Sequence, residues 1–291
     1  MTPLQIVERL EITIGLAGAP RRLRSAMENE LTTSFNLLPI VAAEAADKHE
    51  PRVKQLLIER QADSERDGTL AILNILGAAN DTVAGSCAPL QGDSPPVAAA
   101  KLHRLNNDPL LLAIKNLTFS QFEKFGSALL RELGAQSVHV TGHSNDQGID
   151  FFGILNLGAL QNFPAPFFRL THDVELRFAG QAKHYPTGSV GTATVRELIG
   201  SLSLARSGTF SSTTDAFKAL ALKPFNPVLP VLITTGTLTS GATRLSSEAG
   251  IVARGGAQLS AFLADKGVGM RIVAGAAPTF DQTEFEAWLD R

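Results

Sequence analysis

Asp150, Gln181 and Lys183, with Glu123 upstream, have the types and spacing of a metal-assisted phosphodiesterase site in a chain of 291 residues. In an extended strand, side chains two apart share a face. Gln181 and Lys183 of the run Gln181-Ala182-Lys183 therefore project together while Ala182 faces the other way. If Asp150 lies on an adjacent strand, a carboxylate, an amide oxygen and an ammonium converge. Oxygen donors of this kind suit Mg²⁺, which keeps several waters and binds substrate phosphate. Such an ion lowers the pKa of a bound water and stabilises the charge that develops on phosphorus. Lys183 can orient or help deprotonate that water and neutralise a phosphate oxygen. Glu123 can add a carboxylate, directly or through water. Plain readings stand beside these: Gln-x-Lys on a strand is also the ordinary pattern of an exposed polar face. Asp150, beside Gly148, is also a common turn acid, and Glu123 can be a solvated helix residue.

These residues need a scaffold, and the surrounding sequence predicts one. Phe119, Phe122, Phe125, Leu129, Leu130 and Leu133 recur at three- and four-residue steps, with Thr118 or Ser120 as N-cap and Gly134 as terminator, which predicts a helix over 118–133. Ser137–Thr141 alternates like a strand. Segments 149–157 and 174–183 are further strands, joined by a loop that includes Asn162-Phe163-Pro164-Ala165-Pro166. Val195, Leu198, Ile199 and Leu202 mark a second amphipathic helix over 192–205. The run Pro230-Val231-Leu232-Ile233-Thr234-Thr235-Gly236 has the texture of a buried central strand. Helices over 240–248 and 257–266 flank a brief strand at 251–253. This order predicts an α/β fold with a mixed sheet flanked by helices.

The first part of the chain differs in texture. Leu4, Val7, Leu10 and Ile14 fall on one helical face, and residues 3–80 read as helical, with a charged middle that breaks near Gly68. Arg21, Arg22 and Arg24 form a small basic cluster, read either as a phosphate contact or as a solvated helix end. The stretch 84–97 is rich in Gly, Ser and Pro and reads as a linker. The expected division is a mainly helical N-terminal domain over 1–96 and a second domain over 97–291.

Composition sets limits on function. With 44% hydrophobic and 19% charged residues this is an ordinary globular chain. A net charge of -2 offers no global attraction for nucleic acid, so a nucleic-acid partner has to be held by a local surface. The single cysteine, Cys87, excludes an intrachain disulfide and a Cys-based zinc site, and no His stands near it in sequence. No apolar run reaches membrane-spanning length, and the first residues lack the basic-then-apolar order of a signal peptide. The expected location is the cytoplasm. No GxxxxGK[ST] loop is present, so any nucleotide dependence has to come from a partner.

Thr118-x-Ser120-x-Phe122-Glu123, then Val140-Thr141-Gly142 with Asp146-x-Gly148-x-Asp150, then Gln181-Ala182-Lys183-x-Tyr185, together resemble the Mrr-like restriction endonucleases. These are a branch of the PD-(D/E)xK nuclease superfamily in which Gln replaces the usual second acid. The likeness extends through Val195-Arg196-Glu197-Leu198, similar to the helix after the catalytic strand, to Ile233-Thr234-Thr235-Gly236 and to Gly256-x-Gln258-Leu259, covering about half the chain. The resemblance implies a restriction-endonuclease-like fold. It implies Asp150 as main metal ligand, Gln181 as the second, Lys183 as catalytic lysine, Glu123 as the helix acid that completes the site, and Asp146 in support. The interval from Asp150 to Gln181 is longer than the family's, His184 stands where a basic residue is common, and His143 where a Gly is common.

The expectation is a Mg²⁺-dependent endonuclease of a restriction or anti-phage system that cuts double-stranded DNA. Cutting two strands favours a homodimer. The alternative is a nuclease-fold DNA-binding or assembly subunit, inactive or active only with another restriction-system subunit. The N-terminal region would recognise DNA or a partner. Many Mrr-like enzymes carry a winged helix, but the strand-pair wing is not evident in the sequence.

Overall fold

Thr2 starts the first helix with a capping box: its side chain accepts from the Gln5 N–H while the Gln5 side chain accepts from the Thr2 N–H. The helix, α1 (Pro3–Ile14), buries Ile6, Val7, Leu10 and Ile14. In the computed structural model, which describes residues 1–141, 148–159, 169, 171–207, 220, 222 and 225–291, this stripe belongs to a core of its own. Leu23, Met27 and Leu31 of α2 (Leu23–Thr33) and Ala42, Ala46, Val53 and Leu57 of α3 (Pro39–Asp67) join it, as do Leu73, Ile75 and Val83 further along the chain. Gly68, in the left-handed conformation at φ 68°, ends α3 at the break expected there.

The region is mainly helical, but the helical reading through Asn80 is corrected. Strands β1 (Arg21–Arg22), β2 (Leu73–Leu76) and β3 (Thr82–Gly85) form a sheet in the order β1-β3-β2, antiparallel throughout. The strand pair that a wing requires is therefore present. Leu70, Leu73 and Leu76 sit three apart and mimic a helical face, whereas the buried residues are Leu73 and Ile75, two apart. Gly77 and Asn80, both at positive φ, turn the chain between the two strands.

The chain divides into two compact units, Met1–Leu110 with Ser260–Asp281, and Leu111–Leu259 with Gln282–Arg291. This division differs from the 96/97 boundary because the Pro-rich stretch is tied down. Lys101, on α4 (Pro95–Arg104), is buried and bonds both Asp93 oxygens and the Ala88 carbonyl. Arg104 pairs with Asp265, and Asn106 bonds Pro278 O and Phe280 N at 3.0 and 2.9 Å, drawing 260–281 into the first unit. Cys87 is buried there, and burial pushes its thiol pKa up, which suits an inert thiol. α5 (Asn107–Asn116) leads into the second unit.

That unit is built on a five-stranded mixed sheet of order β10-β8-β6-β5-β4. Its strands are β4 (Ser137–Val140), β5 (Phe151–Asn156), β6 (Glu175–Lys183), β8 (Val228–Thr234) and β10 (Val252–Arg254), while β7 (Ser189–Val190) and β9 (Thr237–Leu238) form a separate parallel pair. The pairs β4–β5 and β5–β6 are antiparallel, and β6–β8 and β8–β10 are parallel. On one face lies α6 (Phe119–Glu132), started by a Thr118–Gln121 capping box. Its Phe125 meets Trp288 of the helix Gln282–Leu289 edge-on at 5.6 Å. On the other face α7 (Thr192–Ser207) buries Val195, Leu198 and Leu202 against Ala179 and Leu232. Ala242 of α8 (Ser240–Glu248) joins the same core. The mixed α/β sheet expected from the sequence is thus present. Among the described residues no helix is long and apolar enough to cross a membrane.

Candidate active site at the end of strand β6

β6 is the central strand, and its last residues meet the rest of the site. Gly180 pairs with Phe151, whose ring fills the space on the α6 side: a Cβ at Gly180 would lie 2.1 Å from that ring, and one at Gly126 of α6 2.4 Å from it. Gly180 and Ala182 therefore face α6, and Gln181 and Lys183 face α7, as the period of two requires. Gln181 stands beside Leu232, and Lys183 beside Thr234, in the parallel register with β8.

Asp150 precedes β5 at a break in the ladder. Gly180 is already paired with Phe151, yet its carbonyl also accepts from the Asp150 N–H at 2.8 Å. Two residues thus oppose one, the signature of a β-bulge. The burial pattern agrees: Ile149 joins the α7-side core while Phe151, two residues on, faces α6. In an unbroken ladder the Ala182 N–H would donate to the residue 149 carbonyl. It donates instead to Asp150 Oδ2 at 2.7 Å, and the Ile149 carbonyl takes the Thr141 hydroxyl at 2.9 Å. Asp150 is therefore bonded to both neighbours of Gln181, and its carboxylate is held beside that residue.

The Gln181 side chain is fully buried, and neither its Oε1 nor its Nε2 has a hydrogen-bond partner. A buried amide with both ends unpaired is costly unless a ligand supplies the partners. Lys183 is mostly buried and points its Nζ towards Glu197 Oε2 of α7 at 3.7 Å. Gly148, at φ 83°, brings the chain close: a Cβ there would lie 2.8 Å from Ser201 Oγ, 3.3 Å from Gln181 Nε2 and 3.4 Å from Glu197 Oε1. Glu197 and Ser201, one helical turn apart, thus border the same spot as Gln181. The sequence places Glu197 only on the helix after the catalytic strand and assigns it no role. The available signal is faint: a carboxylate and a small hydroxyl at i and i+4 flanking the Val195, Leu198, Leu202 stripe.

Glu123 is half-buried on α6, on the opposite side of the sheet from the Gln181 and Lys183 side chains. Its neighbour Phe122 lies 5.9 Å from the His184 ring, which puts the start of α6 at the same end of the sheet as Lys183. His184 also meets the Lys115 carbonyl at 3.3 Å. The structure thus brings Asp150, Gln181, Lys183 and Glu197 together and places Glu123 at the same end from the other face. His143, Asp146 and the loop over 162–168 lie outside the described residues.

The donor set fits a hard divalent ion. Asp150 and Gln181 supply oxygens, and Mg²⁺ takes one or two protein ligands with waters and phosphate completing its shell. The unpaired Gln181 amide is the feature that asks for such a ligand. Among the described residues no group of three His, Cys, Asp or Glu side chains is arranged to hold a metal.

Residues 114–227, which contain Glu123, Asp150, Gln181, Lys183 and Glu197, match the family model Mrr_cat, described as restriction endonuclease. This segment is similar to the Mrr-like restriction endonucleases. No curated protein matches the chain. Among solved structures, the chain is similar to the MspJI restriction endonuclease in complex with a 27-mer oligonucleotide at 18% identity and a TM-score of 0.36, over 62% of this chain and 36% of that one. It is similar to the DNA modification-dependent restriction endonuclease AspBHI at 19% identity and a TM-score of 0.38, over 72% and 45%. The likeness to restriction endonuclease FokI bound to DNA is 11% identity at a TM-score of 0.35, over 91% and 44%. The chain spans less than half the length of these structures.

Proposed function

We propose that the protein is a Mg²⁺-dependent endonuclease that hydrolyses phosphodiester bonds of double-stranded DNA in a restriction or anti-phage system. The observation that carries this reading is the convergence of Asp150, the unpaired Gln181 amide and Lys183 at the end of β6. Asp150 and Gln181 would hold the ion, with Glu123 approaching from α6 directly or through a water. The ion, when bound, supplies an acidified water and charge stabilisation on the phosphate. The bulge fixes the Asp150 carboxylate through the Ala182 N–H, so its orientation is set before substrate arrives. The Lys183 ammonium neutralises a phosphate oxygen and orients the attacking water.

Two scissile strands call for two such sites, and a homodimer supplies them. The first unit, with its helices and strand pair, would select the DNA site or bind a second subunit.

Purified protein incubated with plasmid DNA and Mg²⁺ should cut it, EDTA should stop the cutting, and Lys183→Ala should abolish it with the melting temperature kept. Full cleavage by Lys183→Ala would overturn the assignment. DNA binding without cleavage by the wild type would point to the assembly subunit instead.

A further inference from the structure

Glu197 stands at the site without a role in the reading above. One of its oxygens, Oε2, is 3.7 Å from Lys183 Nζ. The other, Oε1, shares with Gln181 Nε2 and Ser201 Oγ the pocket of space over Gly148, each within 3.4 Å of the point a Cβ would occupy. Its side chain is half-exposed, at 51%, and borders that space from α7, across from the side on which Glu123 sits. The carboxylate therefore meets Lys183 with one oxygen and borders with the other the space that Gln181 also borders.

We propose that Glu197 is a positioning residue that orients Gln181 and Lys183 together, and that its charge is the reason an amide, not a carboxylate, works at position 181. A Gln side chain has a donor end and an acceptor end, and only the acceptor end can serve a cation. An ionised carboxylate is acceptor-only. Across the space over Gly148, Glu197 favours the orientation that keeps Nε2 on its own side and leaves Oε1 to serve a cation. The same group holds the Lys183 ammonium by its second oxygen. A carboxylate at 181 would instead face Glu197 across the Gly148 gap, with like charges close together and one of them fully buried. Gln181 and Glu197 thus divide one polar–acidic pair between β6 and α7. The catalytic part of this inference rests on the nuclease reading; the charge coupling between 181 and 197 does not.

An exchange of the two residues tests it. Glu197→Gln and Gln181→Glu should each lower kcat for Mg²⁺-dependent DNA cleavage by about 10–100-fold, the usual cost of losing a ligand-orienting partner. KM for DNA should stay near the parent value. The exchanged double variant, Gln181→Glu with Glu197→Gln, should cleave at least about tenfold faster than Gln181→Glu alone. A second readout needs no metal and no DNA. In EDTA, Gln181→Glu should lower the melting temperature, Glu197→Gln alone should leave it almost unchanged, and adding Glu197→Gln to Gln181→Glu should return at least half of the loss. Additive melting temperatures, or a Glu197→Gln enzyme that cleaves like the parent, would overturn the proposal. A wild type that never cleaves DNA while the melting-temperature coupling holds would remove the nuclease reading and leave the pairing of 181 with 197 standing.

Discussion

The Asp150 carboxylate accepts a hydrogen bond from the backbone N–H of Ala182 at 2.7 Å, where a regular ladder would have used a backbone carbonyl. Asp150 therefore has a structural duty beside any chemical one, and two substitutions separate them. Asp150→Asn keeps an acceptor oxygen for the Ala182 N–H, so its unfolding free energy should stay close to the parent while Mg²⁺-dependent cleavage is lost. Asp150→Ala leaves that N–H unpaired and should cost a further ~1–3 kcal/mol. Urea unfolding beside a plasmid-nicking assay checks both. Equal destabilisation by Asn and Ala would show that the Ala182 bond is not what anchors this residue.

Gln181 offers the opposite trade. It is fully buried with both amide atoms unpaired, so Gln181→Leu removes two unmet polar groups and keeps a side chain of similar reach. The expected result is a metal-free protein more stable by about 1–3 kcal/mol and devoid of cleavage. Differential scanning calorimetry in EDTA measures the first, and the plasmid assay the second. A destabilised Leu variant would mean that the amide already has partners in solution.

Much of this arrangement was legible in the sequence. The helix that carries Glu123 shows a clean period of 3.6, because it buries one side against the sheet, and the strand that carries Thr234 shows as a short apolar run, because helices cover both faces of the sheet. What failed to show depends on contacts between elements. The β2–β3 pair was hidden because Leu70, Leu73 and Leu76 fit a helical spacing and mask the two-residue step of Leu73 and Ile75. The bulge at Asp150 is a property of the ladder between β5 and β6, set by Phe151 lodging against Gly180 and Gly126. Glu197 reaches Lys183 only because α7 crosses that face of the sheet. A single helical carboxylate beside an apolar stripe carries no mark of the residue it will meet.

Gly148 is where the site tolerates least. Its φ of 83° lies in the left-handed region, where a Cβ costs about 1–2 kcal/mol by itself. The added methyl would also sit 2.8 Å from Ser201 Oγ. Gly148→Ala should therefore lower stability and reduce cleavage more than the loss of stability explains, since the methyl wedges between Gln181 and Glu197. Adding Ser201→Ala removes the nearest contact and should return part of the activity while the backbone cost remains. Parallel melting and cleavage measurements on the single and double variants decide this.

In the first unit, Lys101 sits nearly buried with its Nζ 2.9 and 3.1 Å from the two oxygens of Asp93, and the Leu90 N–H bonds the same carboxylate at 2.8 Å. The Lys101 bond, then the Leu90 bond, hold the Asp93 pKa below its ordinary value, against the opposing effect of burial. A carboxyl that is more acidic folded than unfolded binds its proton more weakly in the native state. Its stabilisation is complete above the ordinary range of about pH 4 and is lost as pH falls through the depressed folded value. The parent protein should thus lose unfolding free energy on acidification below about pH 4 more steeply than Asp93→Asn, which has no proton to take up there. At neutral pH Asp93→Asn should be the less stable, since Lys101 exchanges an ionised carboxylate for a neutral amide oxygen and keeps the Ala88 carbonyl. The two stability curves should converge towards low pH. Urea titrations from neutral to acid pH measure the gap, and a constant gap would mean that the Lys101 pair contributes nothing that protonation of Asp93 removes.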